Sequence, residues 1–249
     1  MKIQGKLTLI IAMLMATATG ASATMLDLTK VGSYGYFNGA KFIQGTINPT
    51  GTGVYEPFLR LKSNGTEEGF NTNATGVLDN KAGIWTKDLL AGTIPTITVD
   101  GSQYREIRLD INENNSETGR YLSLDSLQIY LQETGGINSL AGLTNKKYDM
   151  DSPSGPSNDR DNWVKLDYTL ASGSGWDDMS VLLPESIFAD AATKRFFYLY
   201  SKFGLHYSSD AGFEEWAADP PFRTPEPATM LLLGLGLMGL AGARRKFRN

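Results

Sequence analysis

Oxygen-bearing side chains are densest in one short polar stretch of the chain. They are Asp110, Asn112, Asn114 and Glu117, with Glu113 between them. Calcium takes roughly six to eight oxygen ligands, and alternating Asp and Asn side chains on a curled loop can converge on one ion. A calcium loop of this spacing also needs a glycine for its sharp turn, and that glycine is missing here. Two interpretations stay open: a calcium site, or a solvated, turn-forming loop in which Asp110 pairs with Arg105 or Arg108.

Two further acidic pairs lie elsewhere in the chain. They are Asp149 with Asp151, and Asp177 with Asp178. Either pair could bind calcium, because carboxylates are oxygen ligands of the kind that calcium prefers. Each could equally be an ordinary loop pair, since Asp is common in turns. The pattern does not decide between these interpretations.

Paired carboxylates can also hydrolyse a glycosidic bond if they lie about 5–9.5 Å apart across a sugar-binding cleft. The nearest candidates are Glu214 and Glu215, directly before Trp216, on which a sugar ring could stack. Adjacent residues of a strand point to opposite faces, so these two cannot form the pair. The sequence singles out no other partner, and we predict that the protein is not an enzyme.

The aromatic residues could form a platform for carbohydrate. Trp176 lies in a loop of Gly, Ser and Asp, which favours an exposed indole, so we predict glycan stacking there. Trp163 begins an alternating strand and is predicted to be packed. The alternative is that the aromatics serve only as core and rim of the fold.

Histidine and cysteine usage excludes several kinds of site. His206 is the single histidine and there is no cysteine, so a multi-histidine zinc site and thiolate chemistry are both excluded. No Gly-x-Ser-x-Gly motif accompanies His206, which favours a structural role over a catalytic triad.

The elements that must position these residues are predicted to be short β-strands. Residues 104–111 alternate between apolar and charged side chains, which is typical of a strand with one buried face. The parity of the leucines changes near Asp125-Ser126, which predicts a bulge. Asp100-Gly101 is a hairpin-type turn pair, and it ends the predicted strand 94–99. The predicted strands are 36–47, broken at Asn38-Gly39, and then 57–61, 94–99, 104–111, 122–131, 163–170, 179–183, 196–203 and 213–216. Strands of this length and spacing predict an all-β body, residues 24–216, folded as a single β-sandwich of jelly-roll type.

The amino terminus has the pattern of an export signal. Lys2 and Lys6 precede an apolar run over residues 7–18, and Ala21-Ser22-Ala23 provides a small-x-small cleavage site. This order predicts a secretory signal peptide over residues 1–23. A retained N-terminal helix is the alternative, although the apolar run is short for one. A domain of this size can bury a core without disulfides, so export and the lack of cysteine are compatible.

The formal net charge of −4 over 249 residues is unevenly distributed. The leader and the last six residues carry cations, so residues 24–224 hold 17 basic and 26 acidic residues, a net charge of −9. An acidic body is a poor match for nucleic acid, whose affinity comes largely from cation–phosphate contacts. It suits calcium binding or solubility.

The last 25 residues differ from the body. Pro225, Glu226 and Pro227 follow a linker, 217–224, and precede the uncharged stretch 228–243. As a helix this stretch would be roughly 24 Å long at ~1.5 Å per residue, which is short for a membrane core of about 30 Å. It can still span when flanking cations reach the headgroups. Those cations are Arg244, Arg245, Lys246 and Arg248. They favour the cytoplasmic side, so we predict a transmembrane helix with a basic membrane stop.

The order of these features resembles the PEP-CTERM sorting signal, whose pattern residues 224–237 follow closely. The resemblance implies export in a Gram-negative bacterium that makes extracellular polysaccharide. It also implies recognition by an exosortase, a membrane-embedded cysteine protease that acts near Pro-Glu-Pro. The tail would anchor the chain in the inner membrane for a time, and the body would then be released or passed to the cell surface.

Parts of the body also resemble one group of exported PEP-CTERM proteins, a resemblance that implies no mechanism. These parts are residues 51–58, 109–113, 122–127, 163–168 and 212–216. The sequence therefore predicts an exported surface or matrix protein that is structural or binds carbohydrate. The alternative is a secreted glycan-active hydrolase with the same tail.

Overall fold

The structure is a computed structural model, and it describes residues 23–45, 56–151, 161–171 and 177–218. Several sequence predictions lie outside these residues. They are the signal peptide before Ala23, Trp176, the linker beyond Ala218, the motif Pro225–Pro227, the transmembrane helix 228–243 and the basic stop. In the described part of the chain, no helix has both the length and the apolar character that crossing a bilayer requires.

The described residues are predominantly β-structure. The strands are β1 (Met25–Asp27), β2 (Tyr34–Phe37), β3 (Ala40–Gln44), β4 (Pro57–Leu61), β5 (Glu67–Phe70), β6 (Leu89–Leu90), β7 (Thr96–Val99), β8 (Ser102–Asp110), β9 (Tyr121–Gln132), β10 (Lys146–Asp149), β11 (Trp163–Asp167), β12 (Met179–Pro184), β13 (Phe196–Phe203) and β14 (Glu214–Ala217). Short 3₁₀ turns cover Ala91–Thr93, Leu140–Gly142, Tyr168–Leu170 and Glu185–Phe188.

These strands form two sheets of seven strands each. The first has the order β1-β11-β9-β13-β5, with β10 beside β9 and β6 beside β13. The second has the order β2-β3-β12-β8-β14-β4, with β7 beside β8. Most pairs are antiparallel, whereas β1 runs parallel to β11. The all-β, two-sheet sandwich predicted from the sequence is confirmed at this level.

The main core lies between the two sheets because alternate side chains of each strand point inward. On β8, Ile107 and Leu109 are fully buried, as their alternation predicts. From the opposite sheet, Leu122 and Leu124 of β9 are also fully buried. The indole of Trp216 on β14 spans the layers, because its Nε1 donates to Ser201 Oγ of the other sheet at 3.0 Å.

Two hairpin turns follow their sequence signals. Asn38-Gly39 joins β2 to β3 with positive φ at both residues (47° and 87°), and Asp100-Gly101 joins β7 to β8 in the same way (50° and 79°). Such a turn twists in the same sense as the strands, which is why Asn-Gly and Asp-Gly are favoured in it. The bulge predicted near Asp125 is confirmed, because the β9–β13 register shifts by one residue there.

The prediction omitted several strands. Strands β1, β5, β6 and β10 were not recognised, because they are only two to four residues long and lack a clear alternation. A second, smaller cluster also covers the outside of the first sheet. Its buried members are Phe70, Val77, Tyr130, Leu143, Tyr198 and Tyr200. This cluster explains why β13 is buried on both faces, as its sequence had indicated.

Candidate functional site

Aromatic and charged side chains meet on the outer face of the first sheet, where β9 pairs with β11. Val164 and Leu166 of β11 point into the core, so Trp163 and Lys165 point outward. Lys165 lies opposite Ser123 of β9 in the strand register. Two residues from Ser123, Tyr121 lies on the same face. The side chains of Tyr121, Trp163 and Lys165 are only partly buried, so this face is open to solvent.

A loop after β13 covers one side of this face and is held by a buried carboxylate. Asp125 Oδ2 accepts hydrogen bonds from the N–H of Leu205 at 2.7 Å and from Ser123 Oγ at 2.9 Å. The Ser123 oxygen in turn accepts from the N–H groups of His206 and Tyr207, each at 3.0 Å. The loop therefore places two aromatic rings at a fixed position above the sheet.

Four aromatic rings pack against one another on this face: two form a parallel stack, and the other two are inclined to their neighbours. The imidazole of His206 lies on the indole of Trp163, with centroids 4.2 Å apart and an angle of 7° between the planes. Tyr207 is tilted against Trp163 at 5.9 Å and meets Tyr121 edge-on at 5.7 Å. We call Tyr121, Trp163, Lys165, His206 and Tyr207 the aromatic surface.

Cations complete this surface. Lys165 Nζ lies 4.2 Å from the ring centroid of Tyr121 and 4.4 Å from that of Tyr207, so it is held between two aromatic faces. Arg120 also lies over the Tyr121 ring, at 4.7 Å from its centroid, and forms an ion pair of 3.1 Å with Asp167. Such contacts fix long side chains that would otherwise be mobile.

His206 is hydrogen-bonded but not arranged for nucleophilic catalysis. Its Nδ1 lies 2.7 Å from Asp125 Oδ1, and its Nε2 lies 3.8 Å from Asp161. The Ser123 hydroxyl donates to Asp125, and its oxygen accepts from backbone N–H groups, so the serine does not face the imidazole as a triad requires. The arrangement instead presents a flat ring, 31% exposed at its side chain, to solvent.

The four residues predicted to bind calcium differ in their burial and in their hydrogen-bond partners. Asp110 is fully buried at the end of β8, whereas Glu117 is exposed. Asn112 Nδ2 donates to the carbonyl of Phe213 at 3.3 Å. Asn114 Nδ2 donates to Asp210 at 2.7 Å, and its Oδ1 accepts from the N–H of Ser116. The two asparagines thus tie their loop to residues 210–213, and their calcium role stays a prediction.

The other acidic pairs also have definite structural partners. Asp177 pairs with the buried Arg108 at 3.3 Å, and Asp178 accepts from the N–H of Ile111 at 2.8 Å. Burial still raises the pKa of the Asp178 carboxyl well above its usual value. Asp149 pairs with Lys146 at 2.6 Å. Asp149, Asp177 and Asp178 therefore have structural partners, and a calcium role for either pair stays a prediction.

The prediction that Glu214 and Glu215 point to opposite faces of their strand agrees with the structure. Glu214 is fully buried, whereas Glu215 points to the other face and pairs with Arg60 at 3.6 Å. The two carboxylates therefore cannot act together on one sugar. A recess elsewhere, lined by residues of the segment 73–87 such as Asn80 and Lys87, has no Asp or Glu among those described lining residues.

The predicted burial of Trp163 was wrong. We predicted a packed indole, but the side chain lies on the outer face and is only partly buried. The same alternation contained the signal, because Trp163 shares its parity with the polar Lys165 and Asp167 and not with Val164. The stacking partner His206 is distant in sequence, and no pattern linked the two.

Comparison with known proteins identifies the carboxyl-terminal segment. Residues 223–246 match the family model described as the PEP-CTERM protein-sorting motif. No curated protein and no solved structure matches the chain. The motif is that of a substrate of an exosortase, a membrane protease, and it indicates export with transit through a membrane-anchored form.

Proposed function

We propose that this carrier of a PEP-CTERM sorting motif is an exported surface or matrix protein whose body binds extracellular polysaccharide. In this proposal residues 1–23 are a signal peptide and residues 228–243 are a transmembrane helix until an exosortase removes the tail. The body is then a jelly-roll-type sandwich that stays at the cell surface or in the surrounding matrix. The motif at residues 223–246 supports the sorting part of the proposal.

The Trp163–His206 stack is the observation that supports the binding part. Sugar rings have an apolar face that packs on flat aromatic rings, and stacking adds to the free energy of burying the contact. The imidazole lies parallel to the indole and is 31% exposed, and Lys165 and Tyr207 offer hydrogen-bond donors beside it. Leu205, 55% exposed, extends the apolar area at the edge. This surface suits the shallow binding of a polymer chain rather than the enclosure of a small molecule.

A glycan-active hydrolase with the same tail is the alternative. It needs two carboxyl groups on either side of a sugar, and Asp161 near His206 is the nearest exposed carboxylate to the stack. Release of soluble sugar from polysaccharide by the purified protein would support this alternative. Retention without release supports binding.

One fractionation experiment in the native host tests both parts. The chain is expressed as wild type, as a variant with Pro225, Glu226 and Pro227 replaced by alanine, and as Trp163→Ala. Inner membrane, polysaccharide matrix and medium are then separated, and the mass of the protein is measured in each. The motif variant should stay full-length in the inner membrane. Trp163→Ala should be processed normally, but its retention in the matrix should fall roughly tenfold, which corresponds to ~1.4 kcal/mol.

Tyr36→Ala is the matched control, because Tyr36 is 58% exposed on β2, away from the stack. It should be retained like the wild type. Normal release of the motif variant would contradict the sorting part. Equal retention of Trp163→Ala and Tyr36→Ala would contradict the proposed binding surface.

A further inference from the structure

Acidic side chains take up core positions at one end of the sandwich. The inward residues of β8 lead to the fully buried Ile111, and Glu113 continues the same alternation into the interior with only 4% exposure. On β14, Glu214 lies two residues before Trp216 and points to the same inner face. Both Glu214 and Trp216 are fully buried. The alternation predicts apolar side chains at positions 113 and 214, and glutamates occupy them.

A third glutamate approaches from the other sheet. Glu67 begins β5 and is 1% exposed, whereas the next residue, Glu68, points outward and pairs with Lys202 at 3.9 Å. We call Glu67, Glu113 and Glu214 the buried glutamate triplet. Its members come from both sheets and from the loop after β8, so they meet between the layers.

The triplet has more carboxyl oxygens than hydrogen-bond donors. Glu67 Oε2 accepts from the N–H of Ser63 at 2.8 Å, and Glu113 Oε2 accepts from the N–H of Asp210 at 3.1 Å. The other oxygens of the triplet, including both of Glu214, accept no hydrogen bond from an N–H or hydroxyl group among the described residues, although Glu67 and Glu214 lie close enough to share a carboxyl proton. The N–H of Asn112 lowers the pKa of the Glu214 carboxyl, but burial and the neighbouring glutamates outweigh it.

The groups that face Glu214 are themselves acidic. After burial, the Glu67 carboxyl is the strongest influence that raises the pKa of Glu214, and Glu113 acts in the same direction. Burial also raises the pKa of Glu113 to about 9, and the neighbouring Asp210 adds to the shift. Lys62 lowers the pKa of the Glu67 carboxyl, but it does so less than the other neighbours of that group. The Nζ of Lys62 lies over the Phe213 ring. The chain therefore supplies little positive charge where three carboxyls meet.

The segments that carry the triplet are fastened to one another. Gly65 and Ser209 exchange backbone hydrogen bonds of 2.7 and 2.9 Å, which join the turn before β5 to the loop before β14. Gly212 has φ +71° and packs so closely that a Cβ there would lie 2.3 Å from the carbonyl oxygen of Asn112. Buried carboxyls held together in this way are costly to ionise, so they either hold protons or require a cation beside them.

We propose that Glu67, Glu113 and Glu214 bind one calcium ion at this end of the sandwich. Glutamate oxygens from three separate segments suit calcium, whose coordination is flexible, better than magnesium, which demands a regular octahedron. In the described part of the chain, no three acidic, His or Cys side chains already have the spacing of metal ligands. In this proposal the glutamates draw together around the ion, and water supplies the remaining ligands.

This site differs from the one that the sequence suggested. It uses Glu113, which lies inside the stretch 110–117, but none of the four side chains predicted as ligands. It is also independent of glycan binding, because the triplet lies inside the sandwich and Trp163 lies on its outer face.

Calcium and terbium titrations of the full chain, purified in detergent and stripped of metal, test the proposal. Terbium replaces calcium at oxygen sites and emits when a nearby indole is excited. Trp216 is well placed, about 7 Å along the strand from Glu214. We expect one ion per chain with a Kd of order 10⁻⁴ M, as in extracellular calcium modules. The melting temperature should rise by roughly 5–10 °C at 10 mM calcium, and 10 mM magnesium should have a smaller effect.

Four variants locate the site. Glu214→Gln and Glu113→Gln should each weaken calcium binding at least tenfold and abolish the rise in melting temperature. Glu215→Gln, next in the chain but paired with Arg60, and Glu117→Gln, exposed in the loop, should bind calcium like the wild type. Because each variant is isosteric and Glu113→Gln leaves β14 unchanged, failure of one to fold still leaves the other to decide. Absence of calcium binding by the wild type, or loss of binding in Glu117→Gln with retention in Glu113→Gln, would overturn the proposal.

Discussion

Two groups of buried acidic side chains lie on opposite faces of the second sheet, near the end of β8. On the outer face, Asp110, Asp177 and Asp178 lie close together, and Asp177 pairs with Arg108, which is 3% exposed. On the inner face, the buried glutamate triplet has a few backbone donors and, among the described residues, no arginine. In the described part of the chain, the first group therefore contains a buried cation and the second does not. The comparison teaches that burial alone does not tell a structural carboxylate from a ligand of an ion. The two are told apart by whether the positive charge beside the carboxylate comes from the chain or must come from outside it.

The largest effect is expected for removal of the cation from the outer group. Arg108→Met leaves the Asp177 carboxylate buried without its partner, and we expect the free energy of unfolding to fall by about 3–5 kcal/mol. Arg60→Met is the matched control, because the Arg60–Glu215 pair is longer and partly exposed and should contribute only about 0–1 kcal/mol. Urea unfolding followed by tryptophan fluorescence measures both. Similar losses in the two variants would contradict the importance of the buried arginine.

The same chemical change should have opposite effects in the two groups. Asp177→Asn weakens the pair with Arg108 and should lower the free energy of unfolding by about 2–3 kcal/mol. Glu214→Gln removes an acid that is costly to bury and should raise it by about 1 kcal/mol when calcium is chelated. Urea unfolding at pH 8 with a chelator gives both values. A loss of stability in both variants would mean that the inner carboxyls are compensated within the chain after all.

Asp151 is an intermediate case that should produce a smaller, pH-dependent effect. It accepts one N–H, from Asn162 at 2.8 Å, and burial raises its pKa to about 7. Between about pH 4 and 7 the folded chain holds a proton that the unfolded chain has released, so the free energy of unfolding falls as pH rises through this window. Asp151→Asn should make that slope shallower by the share of one proton in urea titrations at several pH values, because Glu113, Glu214 and Asp178 also have raised pKa values and contribute the rest.

Asp27→Asn is the control for the pH experiment. The Thr29 hydroxyl and N–H lower the pKa of Asp27, so this side chain is ionised in both states across the same window. Its substitution should leave the slope between pH 5 and 7 unchanged. A slope that is as steep in Asp151→Asn as in the wild type would assign the whole titration to other groups.

Much of the fold followed from local sequence signals, because alternation and turn residues act over short distances. The β8 strand, the Asn38-Gly39 and Asp100-Gly101 turns and the bulge at Asp125 were all predicted correctly. Strand β5 was missed because Glu67 is charged and Gly69 weakens the pattern of a strand. Its pairing with β13 is a long-range contact that no local pattern encodes.

The candidate sites could be predicted only in part. Trp163 could have been placed on the outer face from its parity, but its stacking on His206 depends on a loop held by Asp125. Glu113 was passed over because the pattern of alternating Asp and Asn drew attention to its neighbours. Its burial depends on the close approach of residues 209–213, which becomes visible only when both sheets are assembled.

Strand β1, at the start of the body, pairs in parallel with β11. It therefore belongs to the sheet that carries the aromatic surface. The N–H of Trp163 donates to the carbonyl of Thr24 at 3.1 Å, and Met25 lies beside Trp163 in the register. Trimming the chain by even a few residues past Ala23 would uncover the edge of β11, and exposed strand edges recruit other chains. A cut after Ala23, which the proposed signal peptide requires, would leave β1 whole and would protect the protein from self-association. Any tag fused just before Thr24 would lie next to the indole of Trp163.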